Sequence, residues 1–268
     1  MKKPLHTIAF ASLSFVAGML LLLSVGGLLQ QRLGMMGMIL TQLMILTIAL
    51  VSTRLSHLSF KQVFRVRRST RSEWLGSLLV YLCASFAAST VSYLLMVLLP
   101  DMEKTGEYIG GFIVADGFAL ALIGVAVLPG ICEEAWHRGY LLSSLDPLRS
   151  VAVRVIVMGL VFGLFHFDSA RFLQTMILGC ALSFMRVKTD NLLVPVVFHL
   201  LNNLVAVCVV FAAASLTGLL PGQEVTTLLE GVPEQPSLVS ILPFALSTAF
   251  LSVLFGALGR YVFRRAQG

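Results

Sequence analysis

From Ile8 to Leu29 the chain carries no charged residue, and apolar runs of similar length follow one another almost to its end. A helix needs roughly 20 apolar residues to cross a bilayer, and lipid leaves the backbone few other ways to satisfy its hydrogen bonds. Composition agrees: 57% of the 268 residues are hydrophobic and 12% charged, with mean hydropathy +0.92, far from the balance of a water-soluble domain. About eight spans are expected, near 6–29, 34–53, 75–99, 118–145, 150–168, 172–187, 191–214 and 238–259. The fold class read from this is all-α: a polytopic integral membrane helical bundle forming one domain over 1–268. Lys2 and Lys3 precede the first run, but its length and the lack of a clear Ala-x-Ala site make it an uncleaved helix rather than a signal peptide.

Basic residues set the expected orientation. Arg54, Lys61, Arg65, Arg67, Arg68 and Arg71 crowd the connection between the second and third spans, which marks it as cytoplasmic. Counting from there, Lys2, Lys3, Arg149, Arg186, Lys188, Arg260, Arg264 and Arg265 also fall inside, so both termini are expected in the cytoplasm. Outer segments carry Asp101, Glu103 and Glu107, then Glu224, Glu230 and Glu234 in a polar loop over 217–237; Lys104 and Arg171 are outward exceptions, each with an acidic neighbour. The net charge of +6 is accounted for by these inner loops, so no nucleic-acid partner is expected. Membrane lipids are the expected partners, and residues 54–73 interleave Leu55, Leu58, Phe60, Phe64 and Val66 with the basic positions in a pattern suited to an anionic lipid surface. Cys83, Cys132, Cys180 and Cys208 form no Cys-x-x-Cys pair and are read as apolar packing residues.

Against this background Glu133 and Glu134 stand out, because carboxylates at membrane depth are costly and usually face a protein interior. Residues four apart share a helix face, so Glu134 is expected to pair with Arg138, while Glu133 is turned about 100° away. That gives two carboxylates two environments, as an acid/base site requires, although an ordinary ion pair at a helix end has the same spacing. Two of the five histidines also lie in later apolar spans, His166 in Phe162-Gly-Leu-Phe-His166 and His199 in His199-Leu-Leu-Asn202-Asn203. Each alone fits a packing or helix-bridging role. Taking a rise of about 1.5 Å per residue from the inner boundaries, Glu133 and His166 lie about 18 Å deep and His199 about 13 Å, so the groups are at compatible depths. Pro129 and Gly130 just upstream are expected to kink the helix or open its hydrogen-bond ladder.

The ordered set Glu-Glu-x-x-x-Arg, Phe-x-x-x-His and His-x-x-x-Asn, spread over roughly 115–210, resembles the CPBP (CAAX protease and bacteriocin-processing, or Abi) intramembrane endopeptidases. Gly139 also fits their pattern, whereas His137 departs from it and is read as a helix-end histidine near the inner interface. The resemblance implies that Glu133 activates water with help from His166, that Glu134 and Arg138 organise the region, and that His199 and Asn203 position water or stabilise the oxyanion. Phe162 would support the second motif by packing, and Asn202 falls outside the spacing. The implied substrate is a membrane-associated peptide or protein, such as a prenylated CAAX-type protein or a leader peptide, approached from the cytoplasmic side.

One Glu and two His also make an acceptable zinc set, Glu133, His166 and His199, with room for water. No His-Glu-x-x-His string fixes such ligands, and a metal-free glutamate mechanism is preferred. The competing reading is a non-catalytic membrane protein, a bacteriocin self-immunity factor, scaffold or transporter, using the same polar cluster as helix glue or a proton relay.

Overall fold

The computed structural model describes residues 4–98, 102–216 and 238–267. The polar loop expected over 217–237, with Glu224, Glu230 and Glu234, lies outside the described residues, as do Lys2, Lys3 and Asp101. Among the described residues every regular element is helical, and there is no strand. In chain order the helices are α1 (Pro4–Leu21), α2 (Gly27–Leu55), α3 (Phe60–Val63), α4 (Arg71–Leu98), α5 (Met102–Ala115), α6 (Phe118–Ala121), α7 (Leu128–Glu134), α8 (Leu142–Ser144), α9 (Val151–Phe165), α10 (Phe172–Thr189), α11 (Leu193–Leu216) and α12 (Leu238–Gln267). Wider π-helical stretches join several of them without a break: Leu22–Gly26, Leu122–Val127 and Ala135–Leu141.

Five helical stretches are long and apolar enough to cross a membrane: Thr7–Leu55, Arg71–Leu95, Phe118–Ser144, Leu193–Ser215 and Val239–Arg265. Large apolar side chains such as Leu13, Val197, Phe250 and Val253 are exposed, as expected where lipid rather than water is the solvent. The protein is an integral membrane protein. The first stretch contains both of the first two expected spans, because the backbone reverses at Gly34, where φ is 54° and ψ −129°. L side chains avoid that conformation, and a Cβ there would also meet Asp116 Oδ2 at 2.8 Å. Asp116 instead accepts the N–H of Met35 at 2.8 Å, supplying a partner to a donor that the reversal leaves without one.

The chain divides into two compact units that alternate along the sequence. The first is built from Met1–Arg65, Gly106–Pro147 and Val196–Val232. Its apolar cluster of Met35, Ile113, Ala121 and Val207 gathers Phe112, Val125, Val210 and Phe211 around it, so α2, α5, the stretch through α6 and α11 share one core.

The second unit is built from Val66–Thr105, Leu148–Pro195 and Pro233–Gly268. In it α4 and α12 lie antiparallel, matched in reverse order by the stacked rings of Phe86 and Phe255, the Thr90–Thr248 hydroxyl pair and the edge contact of Tyr93 with Phe244. Helices α9 and α10 form a hairpin on small residues, with Gly159 against Gly179 and Gly163 against Phe172: the position of a Cβ at Gly179 is 2.8 Å from Phe162 Cβ and 3.2 Å from Gly159 Cα. Such close approach is how helices gain packing contact in lipid, where burial of apolar surface offers little. Helix α4 opens with a reciprocal cap: Thr70 N–H donates to Glu73 Oε2 at 2.8 Å and Glu73 N–H to Thr70 Oγ1 at 3.2 Å. Arg67 donates to Glu73 and to the Thr189 carbonyl, and buried Asn191 donates to the Arg67 carbonyl at 2.7 Å. These bonds tie the basic segment to the α10–α11 turn. Arg171, expected as an outward exception beside an acid, donates from Nε to Asp168 Oδ2 at 2.6 Å.

Candidate active site

The first unit gathers its polar groups around α7 and the π-helical stretch that follows. Pro129 has no N–H, so the Val125 carbonyl, four residues earlier, lacks its α-helical donor. Asn203 of α11 supplies one, its Nδ2 donating to the Val125 oxygen at 2.9 Å. Gly130 brings α11 close: a Cβ there would lie 3.1 Å from Leu200 Cβ. The pair expected to kink the helix thus seats α11 against it, and the helix continues to Ser144.

Glu134 and Arg138 are both fully buried and pair as their spacing predicts, Arg138 Nη1 donating to Glu134 Oε1 at 2.7 Å. The same oxygen also receives His199 Nδ1 at 2.8 Å. A carboxylate can only accept from that nitrogen, which fixes the proton on Nδ1 and turns Nε2 towards Glu133, 4.0 Å from Oε2. One imidazole therefore spans both carboxylates. The sequence aims His199 at Glu133, whereas its direct hydrogen bond is to Glu134. The reason is the angle between adjacent helix positions, which lets a ring seated between two side chains present one nitrogen to each.

Glu133 is buried, and its Oε1 accepts from Gln42 Nε2 of α2 at 2.9 Å. Three buried oxygens in this cluster, Glu133 Oε2, Glu134 Oε2 and Gln42 Oε1, have no hydrogen-bonding group among the described residues. All three are acceptors, so the groups that satisfy them must bring protons, as water or a protonated carboxyl does. Sequence reasoning misses Gln42. Its signal is an amide in the middle of an uncharged span, between Leu40 and Leu43, where a polar side chain is costly unless bonded.

His137 is fully buried and not at a helix end, because the helix runs on to Ser144; its ring Nδ1 meets the Glu133 carbonyl at 2.9 Å. Asn202 donates to Asn203 Oδ1 at 3.2 Å. His166 belongs to the second unit, at the end of α9, where its Nδ1 meets the Phe162 carbonyl at 2.8 Å and its ring stands edge-on to that of Phe162, 4.7 Å between centroids. Within the first unit, then, the structure joins Glu133, Glu134, Arg138 and His199 in one network, with Asn203 one turn farther along α11.

Residues 115–205 match the family model of type II CAAX prenyl endopeptidase Rce1-like proteins. Over that stretch the chain is similar to CAAX prenyl endopeptidases. The match covers about a third of the chain and contains all three motifs, and it supports the CPBP resemblance drawn from them. No curated protein and no solved structure gave a match. Gln42 lies outside the matched residues.

A zinc ion in such a domain needs three protein ligands besides its water. Glu133 Oε2 and His199 Nε2 face each other, but among the described residues no three His, Cys, Asp or Glu side chains are gathered as a metal site. The chemistry proposed below uses the protons of these side chains.

Proposed function

We propose that the protein is an intramembrane endopeptidase that hydrolyses a peptide bond of a membrane-associated substrate with water activated by Glu133. The observation that carries this reading is His199, held by Glu134 through Nδ1 and facing Glu133 Oε2 through Nε2. Two groups 4.0 Å apart are too far to bond each other and near enough to share one water.

In the proposed reaction Glu133 Oε2 takes a proton from that water as its oxygen attacks the scissile carbonyl carbon. The carbonyl π electrons move to oxygen, and the oxyanion is stabilised by a hydrogen bond from the imidazolium Nε2–H when His199 is protonated. Glu133 then returns its proton to the amine nitrogen as the carbon–nitrogen bond breaks, which regenerates the carboxylate. Arg138 offsets the charge of Glu134, so that Glu134 can orient the imidazole without a second uncompensated carboxylate beside Glu133. The motif carries His166 and Asn203 into the proposal, His166 as a water-holding group and Asn203 as an oxyanion or water-positioning group.

The eight-span topology with both termini in the cytoplasm is part of the same reading. Helices α1, α2, α4, the stretch through Phe118–Ser144, α9, α10, α11 and α12 would supply the passes, with α9, at 15 residues, the shortest. The basic residues of 54–71 support an inward face there and a substrate that approaches from the cytoplasmic side.

The test is cleavage by the reconstituted full-length protein of membrane-inserted peptides, including a farnesylated CAAX peptide and leader peptides. Glu133→Ala and His199→Ala are expected to lower kcat by about 10²- to 10⁴-fold, the range for loss of a positioned acid/base group. His166→Ala is assayed beside them. Folded variants with parental rates would overturn the assignment, and absence of cleavage across the substrate panel would favour the non-catalytic reading. Activity is expected to survive exhaustive chelation; its loss with chelator and return with zinc would overturn the metal-free mechanism.

A further inference from the structure

Gln42 stands on α2, far along the chain from the catalytic motifs, yet among the described residues it is the side chain that donates a direct hydrogen bond to the Glu133 carboxylate. It is 3% exposed, and its neighbours along the helix include Met38, whose sulfur lies 4.0 Å from Nε2. An amide there bridges α2 to α7 and so contributes to packing. Its effect on Glu133 is more specific. The two carboxylate oxygens are no longer equivalent: Oε1 holds the Nε2–H, while Oε2 has no donor among the described residues and lies opposite His199 Nε2. A proton on Oε1 would point at the amide hydrogens, whereas a proton on Oε2 leaves the amide bond intact.

We infer that Gln42 is a positioning residue that commits Glu133 to taking and returning its proton on Oε2, the oxygen facing His199. The inference rests on the reading of Glu133 as the base.

The experiment compares the parent with Gln42→Met, which keeps length and apolar volume without the donor, and Gln42→Glu, which keeps the shape and donates only when protonated. Two readouts are taken on the full-length protein in vesicles. The first needs no substrate: modification of Glu133 by a hydrophobic carbodiimide, which reacts with protonated carboxyls, followed across pH by mass spectrometry. The second is the peptide cleavage assay, with Glu133→Gln as control. In Gln42→Met the pH profile of Glu133 modification is expected to differ from the parent's. Its kcat is expected to fall about 10- to 100-fold with KM unchanged, as for loss of one hydrogen bond to a charged group. Gln42→Glu is expected to match the parent's modification profile at acid pH and depart from it as pH rises. A parental profile and kcat in both variants, with Glu133→Gln inactive, would overturn the role of Gln42 alone. Parental cleavage by Glu133→Gln would overturn the base assignment and this inference with it.

Discussion

Arg138 and Glu134 are each shut away from solvent, so neither can be removed without leaving the other's charge in a medium that solvates it poorly. Arg138→Met is expected to destabilise the protein by about 3–5 kcal/mol, the usual cost of breaking a buried pair. Glu134→Gln is expected to weaken catalysis as well, since its amide can face His199 with the wrong end. The double variant Arg138→Met with Glu134→Gln should recover part of the stability and none of the activity, as measured by thermal unfolding in detergent beside the cleavage assay. This pair was legible in the sequence because a spacing of four residues has one structural meaning on a helix. Gln42 was not, because no spacing rule connects α2 to α7. The attachment of His199 to Glu134 rather than Glu133 was hidden for a related reason: depth along a span says nothing about which side of a ring meets which carboxylate.

Among the elements, the α9–α10 hairpin is the most sharply specified. Gly159 and Gly163 on one helix and Gly179 on the other leave no space for a side chain, since a Cβ at Gly159 would lie 2.3 Å from Cys180 Sγ. Gly179→Val is expected to separate the two helices and lower the unfolding temperature measured in detergent. An exposed control on the same hairpin, Leu164→Val, should stay close to the parent. At the first reversal, Gly34→Ala is expected to cost about 1–3 kcal/mol, the range for a non-glycine residue in a sparsely allowed backbone region. The long apolar runs foretold most helices and their limits to within a few residues. The π-helical widening at Ala135–Leu141 was not foretold, because it depends on how α7 packs and bonds at that point, and no residue type encodes it as proline encodes a missing donor.

For the whole molecule, charge is what relates the fold to its membrane. Arg54, Lys61 and Arg68 are exposed beside exposed Leu55, Phe60 and Val66, and the acid nearest to them in sequence, Glu73, is already paired with Arg67. Cysteine labelling at positions 61 and 68 in oriented vesicles is expected to report the cytoplasmic side; reaction with an impermeant reagent from the outer side would reverse the topology. The composition was enough to identify a membrane protein, and positive charge enough to propose its orientation. The alternation of the two units could not be read, since it follows from which helices pack together rather than from any local run of residues.

That alternation has a consequence in time. The chain leaves the first unit after Arg65, returns at Gly106, leaves again after Pro147 and returns at Val196. During synthesis, Gln42 and the two glutamates are therefore in the membrane well before α11 brings His199 to them. Until it does, a ribosome-bound chain holds Glu133 and Glu134 with Arg138 but without the imidazole of His199. The facing of Glu133 and His199 is therefore a late event, possible only once α11 has been made.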